Sequence, residues 1–228
     1  MGNGKCTCSQ GSKFVLQPYI FLFCFAFLSA FPVVTNDRNG LNEETVVEKK
    51  VFEEGDIILR YGDGLWSPFF RDISRRDKRF SHAGILVREN GEICVVHASA
   101  ADLTGVGKVS CESLETFLTT AADYAVYRLA IPEPVKQRIA ANARNYLGFS
   151  FDSSFDLSDK ERLYCTELVM QAVNEAAGFA VIRPTVTNGI AVVAPDNCYE
   201  HRRFFSVADK RLPDGFRRKE VDYPVDPY

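Results

Sequence analysis

The chain has 228 residues but only three histidines, two methionines and one tryptophan, and its formal net charge is −3. Without a surplus of lysine and arginine there is no electrostatic footprint for nucleic acid, and no nucleic-acid partner is expected. The seven cysteines are odd in number and scattered, and no two stand as C-x-x-C. That argues against a disulfide framework and against a zinc site of the usual spacing. Internal repeats and low-complexity tracts are lacking too, which excludes a solenoid. The length allows one sizeable domain.

What is present begins with an uncharged apolar run, KFVLQPYIFLFCFAFLSAFPVV from Lys13, after a short segment that carries Lys5. This is the layout of an export signal, or of a membrane anchor of nearly spanning length through residues 14–34. Residues 1–35 are therefore read as signal peptide or N-terminal anchor. Residues 36–52 are read as a polar linker, 53–212 as the folded domain and 213–228 as a tail. Export to a periplasmic or extracellular location is the expectation.

Two of the three histidines lie within RFSHAGILVRENGEICVVHASA, residues 79–100. Asn90-Gly91 is the dipeptide of a two-residue type I′ hairpin, flanked by β-branched runs. With these two residues at the turn, Glu89 faces Glu92, and the pairing continues outward until Gly84 faces His97 and Ser99 faces His82. Side chains alternate with period two, so His82 and His97 share a face as diagonal neighbours, with Gly84 leaving room for the rings. Either histidine alone would read as an unrelated polar residue, but two on one face point to a site.

The remaining elements follow from pattern. GDIILRYG (55–62) reads as a buried strand, and the piece after it as a loop with one short helix. Arg75, Arg76, Lys78 and Arg79 read as a solvated face, with an anion site as the alternative. Trp66 reads as a packing residue, with a cleft wall as the alternative. SCESLETFLTTA reads as a short helix capped by Ser110, DYAVYRLA as a strand, and EPVKQRIAANARNYLG as a helix with Pro134 near its start. In YCTELVMQAVNEAAGF, Leu168, Val169, Ala172, Val173 and Ala176 form one helical stripe that stops at Gly178. Cys165 heads that stripe. A helix N-terminus favours thiolate over thiol and can receive an oxyanion, so Cys165 is the candidate nucleophile. Cys94 reads as packing, Cys111 and Cys198 have no visible partner, Tyr164 reads as aromatic packing, and Asp152 and Asp196 are not assigned a catalytic role.

GDIIL, FSHAGIL, VVHA, FDSSFD and LYCTELV, in this order, resemble the permuted papain-like cysteine hydrolases of the NlpC superfamily. The resemblance is closest to the YiiX/YaeF-like branch, related to lecithin retinol acyltransferase, and spans about residues 53–200. It implies an α+β, circularly permuted papain-like (NlpC-type) fold, in which an antiparallel sheet packs against helices and the nucleophile sits at a helix N-terminus. It also implies Cys165 as nucleophile, His82 as its base and His97 as the group that orients the base, with no metal and no organic cofactor. The expected function is an exported cysteine hydrolase that cleaves an amide bond through a thioester, with cell-wall peptides as the substrate class. The alternatives are a lipid-directed acyl hydrolase or acyltransferase using the same triad, and a non-enzymatic binding module. A zinc site built from His82, His97 and Cys165 is a further alternative, disfavoured by the lack of a close fourth ligand.

Overall fold

The computed structural model describes residues 52–210 apart from 63, 65, 102, 103, 120, 122 and 188. The apolar run, nearly all of the linker and the C-terminal tail lie outside the described residues. Among the described residues no helix is long and apolar enough to cross a membrane.

Alternating apolar residues build an eight-stranded sheet. Its strands in chain order are β1 (Ile57–Tyr61), β2 (His82–Glu89), β3 (Glu92–Ala100), β4 (Gly107–Ser113), β5 (Asp123–Leu129), the two-residue β6 (Ser150–Phe151) and β7 (Arg162–Leu163), and β10 (Phe204–Lys210). They lie in the order β10-β5-β1-β2-β3-β4-β6-β7. Every neighbouring pair is antiparallel, as expected, except β6 and β7, which run parallel. A separate hairpin joins β8 (Thr185–Thr187) to β9 (Ile190–Val192).

Four helices complete the domain: α1 (Ser67–Ile73), α2 (Leu114–Thr119), α3 (Glu133–Asn145) and α4 (Cys165–Ala177). Period-two alternation divides their packing between the two faces of the sheet. Ala83, Ile85, Val87, Cys94, Val96 and Ala98 point toward α3 and α4. Ile58, Leu86, Val95 and Val126 point the other way, toward Leu114 and Phe117 of α2. Between α3 and α4, Asn142 Nδ2 donates to the Ala172 carbonyl at 3.2 Å and Arg138 Nη2 to the Ala176 carbonyl at 3.0 Å.

The expected helix over 110–121 begins later than its sequence indicates. Residues 107–113 form β4, and α2 starts at Leu114, with Ser113 Oγ rather than Ser110 accepting the Thr116 N–H at 3.0 Å. Pairing with β3, from Cys94–Ser113 to Ala100–Gly107, overrides the local capping signal.

Candidate active site

The hairpin has the expected register from the turn to Ile85–Val96, but the expected pairs Gly84–His97 and His82–Ser99 lie beyond the end of its ladder. Asn90 (φ 52°) and Gly91 (φ 87°) take the two left-handed turn positions, and Glu89 pairs with Glu92 through to Ile85 with Val96. His82 and His97 share the α2 face of the sheet, His82 Nε2 lies 2.9 Å from His97 Nδ1, and both rings pack against Phe117. A Cβ built on Gly84 would stand 2.5 Å from Val95 Cγ1 and 3.2 Å from His97 Cβ, so only glycine lets β3 come this close.

His97 in turn reaches a residue that the sequence reading did not assign. Its Nε2 lies 2.9 Å from Glu112 Oε1. Glu112 is opposite Val95 and therefore diagonal to His97 on the same face. Burial raises the Glu112 carboxyl, but the contact with His97 and the charges of His97 and Arg60 outweigh it, so the net shift is downward. The only sequence signal for Glu112 was its place in an alternating run that reads equally well as a helix start.

Cys165 opens α4 and is buried, directly after the extended N-cap Tyr164. The Tyr164 hydroxyl accepts the Val193 N–H at 2.8 Å, and its ring packs on Phe70 and Phe155, so Tyr164 is a packing residue as expected. Helix α4 lies on the face of the sheet opposite the two histidines. The thiol and the imidazoles meet because the sheet opens at this end. The β2–β3 ladder stops at Ile85–Val96, which leaves the Ala83 N–H, one of the groups that lower the Cys165 thiol, beyond its end. Cys165 and His82 thus line one cavity of about 150 Å³, together with residues from both faces. Among the described residues no hydrogen bond yet joins the sulfur to either ring.

The electrostatics correct one expectation. The helix N-terminus was expected to favour a thiolate, yet burial pushes the Cys165 thiol up to about 11, against the lowering by the N–H groups of Ala83, Thr166 and Cys165 itself. His82 is driven well below the ordinary histidine value, first by burial and then by the charges of His97 and Arg60. The resting pair is a neutral thiol beside a neutral imidazole. Arg60, directly across the β1–β2 ladder from His82, also lines the cavity; its Nη1 donates to the Phe117 carbonyl at 2.6 Å and its guanidinium lies over the Phe117 ring.

The other residues singled out from the sequence take structural places. Asp152 is fully buried and accepts the N–H groups of Ser154 and Asp156, whereas Asp196 accepts those of Arg75 and Arg76. Arg79 is held by Asp123 and Asp209, and Cys94 and Cys198 are buried. Trp66 lines the cavity as well as packing edge-on against Phe155. Among the described residues no group of three or more histidines, cysteines and acidic residues is arranged to hold a metal. The facing nitrogens of His82 and His97 are turned toward each other, which does not suit the zinc alternative.

A buried cysteine at a helix start, histidines on a preceding hairpin, and a sheet flanked by helices are the parts of a papain-like fold in permuted order. Residues 51–212 match the model of the Peptidase C92 family, the permuted papain-like amidase enzymes YaeF/YiiX, and the chain belongs to this family. It is 30% identical over 133 residues to the uncharacterized protein YiiX of Escherichia coli (strain K12), covering 57% of this chain. The chain spans only about three-fifths (61%) of that relative's length. The fold is shared with the metalloprotein yiiX of Escherichia coli O157:H7, at a TM-score of 0.59 and 22% identity, over 70% of this chain and 98% of that one.

Proposed function

We propose that the protein is a cysteine amidase in which Cys165 is the nucleophile, His82 the general base and His97, anchored by Glu112, the residue that positions the base. The observation that carries this reading is the relay Glu112–His97–His82, which ends in the cavity that Cys165 lines. The relay sets the tautomers. The Glu112 carboxylate accepts from His97 Nε2–H, and with His97 Nδ1 accepting from His82 Nε2–H the His82 Nδ1 lone pair is left for the thiol.

His82 Nδ1 removes the thiol proton as sulfur attacks the carbonyl carbon, and N–H groups at the start of α4 face the developing oxyanion. The C–N bond breaks, the proton passes from His82 to the leaving nitrogen, and a thioester remains. Water then adds its oxygen to the acyl carbon and its proton, through His82, to the sulfur, releasing a carboxylic acid. The apolar run at residues 14–34 supports export of the domain or its tethering to a membrane, where cell-wall peptides are the substrate class that the wider superfamily favours.

The test is the pH profile of Cys165 alkylation by iodoacetamide, read by mass spectrometry. In the wild type a rate nearly flat between about pH 6 and 8 is expected, because neutral His82 assists the thiol. In His82→Ala only the limb that climbs toward the thiol's own value of about 11 should remain. Identical profiles in the two proteins would return Cys165 to an ordinary buried cysteine and favour the binding module.

A further inference from the structure

The cavity is lined both by polar residues, among them His82, Arg60, Ser81 and Ser99, and by an aromatic wall of Trp66, Phe70 and Phe151. Resting on the mechanism above, His82 delivers a proton to the leaving nitrogen, so the amine stands at His82. The acyl fragment, bonded to sulfur in the thioester, is then left to the aromatic wall.

That wall is stiff. Phe155 stands behind it, with ring centroids 5.3 Å from both Trp66 and Phe70, 6.4 Å from Phe151 and 5.4 Å from Tyr164. Its φ of 55° is left-handed, a conformation that an aromatic residue adopts only where its surroundings impose it. Here the Asp152 carboxylate fixes the turn through the Ser154 and Asp156 N–H groups, at 2.9 and 2.7 Å. The whole cavity, its polar lining included, is about 150 Å³. That is the size of a cavity that takes up benzene, and well below the roughly 300 Å³ at which drug-sized ligands begin to be enclosed.

We propose that the acyl side of the scissile bond carries one compact apolar group, a ring or short branched chain, seated on Trp66, Phe70 and Phe151. An amino-acid side chain and a simple acyl group share this chemistry. A long unbranched chain or a charged group does not fit.

The experiment measures acylation of Cys165 by 4-nitrophenyl esters of 3-phenylpropionate, N-acetylphenylalanine, octanoate and succinate. Release of nitrophenolate gives the rate, mass spectrometry locates the acyl group, and each rate is divided by that of the same ester with N-acetylcysteine. Both phenyl esters should exceed the other two by about tenfold or more, the discrimination expected of a small apolar pocket. The order of the two phenyl esters tells an amino-acid residue from a simple acyl group as the source. Phe151→Ala should erode the preference, whereas Phe151→Leu, which keeps an apolar wall, should largely retain it. Acylation of Cys165 at equal normalised rates would overturn this inference and leave the thiol mechanism standing. Failure of every ester to acylate Cys165 would overturn both.

Discussion

Glu112 anchors the relay through a single contact, and that makes its charge testable. Glu112→Gln keeps an acceptor near His97 Nε2 but loses the negative charge, so kcat should fall about tenfold with KM nearly unchanged. Glu112→Ala should lose more, and His82→Ala about 10²–10⁴-fold, the usual contribution of a general base. Steady-state kinetics on an amide probe would show the split between kcat and KM. A second buried carboxyl, Glu167, belongs to stability rather than chemistry. It lies two residues into α4, and burial first, then the charge of Asp152, pushes it up to about 7. Between its ordinary value and 7 the folded chain holds a proton that the unfolded chain has released, so this group makes stability fall as pH rises through that window. His82 acts with the opposite sign: below the ordinary histidine value the unfolded chain takes up a proton that the folded one refuses, so stability falls as pH drops. Glu167→Gln should therefore raise stability at pH 8 more than at pH 5, by an amount on the order of 3 kcal/mol or less. Thermal unfolding at the two pH values checks the sign.

At the scale of the element, the hairpin of β2 and β3 gives the site its spacing, and Gly84 is its tightest point. Gly84→Ala should cost about 1–3 kcal/mol through overpacking against Val95 and His97, and should part the two imidazoles. Chemical denaturation gives the first quantity, and a loss of activity larger than the loss of folded protein reveals the second. This hairpin was legible in the sequence because turn chemistry and alternation agree over the whole of residues 82–100. Helix α4 was legible for a similar reason, its apolar stripe running unbroken from Cys165 to Gly178. Glu112 was not, because Ser110 reads as a helix cap and only the pairing of β4 with β3 makes residues 107–113 a strand, with Ser113 accepting the Thr116 N–H instead. Nor could local pattern show that the cysteine and the histidines approach from opposite faces of the sheet, since the opening of the β2–β3 ladder depends on where α4 packs. The depressed acidity of the thiol was hidden likewise: a helix terminus is visible in a sequence, but the burial that outweighs it is not.

Across the whole molecule, the start of β1 is tied to β5 and α3 by a charged cluster distant in sequence. Arg128 donates to both oxygens of the fully buried Asp56, at 2.7 and 2.8 Å, and to Glu53, which also meets Lys136. Arg128→Met would leave Asp56 buried without its cation and should destabilise the domain by about 3–5 kcal/mol, measurable by urea titration. The alkylation profile of the protein that remains folded should not change. None of this cluster was assigned from the sequence, where the same residues look like ordinary surface charge.

The open end of the β2–β3 ladder has a further consequence. Because pairing ends at Ile85–Val96, with both histidines beyond it, the hairpin works as a counted frame. Adding one residue at Asn90-Gly91 would move His97 to the helix side of the sheet and bring Ala98 into its place, while adding two would restore the side but shift the ring along the strand. The reactive centre is therefore gauged by the number of residues from a turn at the far end of the hairpin. A change of length there would displace His97 from His82 without touching a residue that lines the cavity.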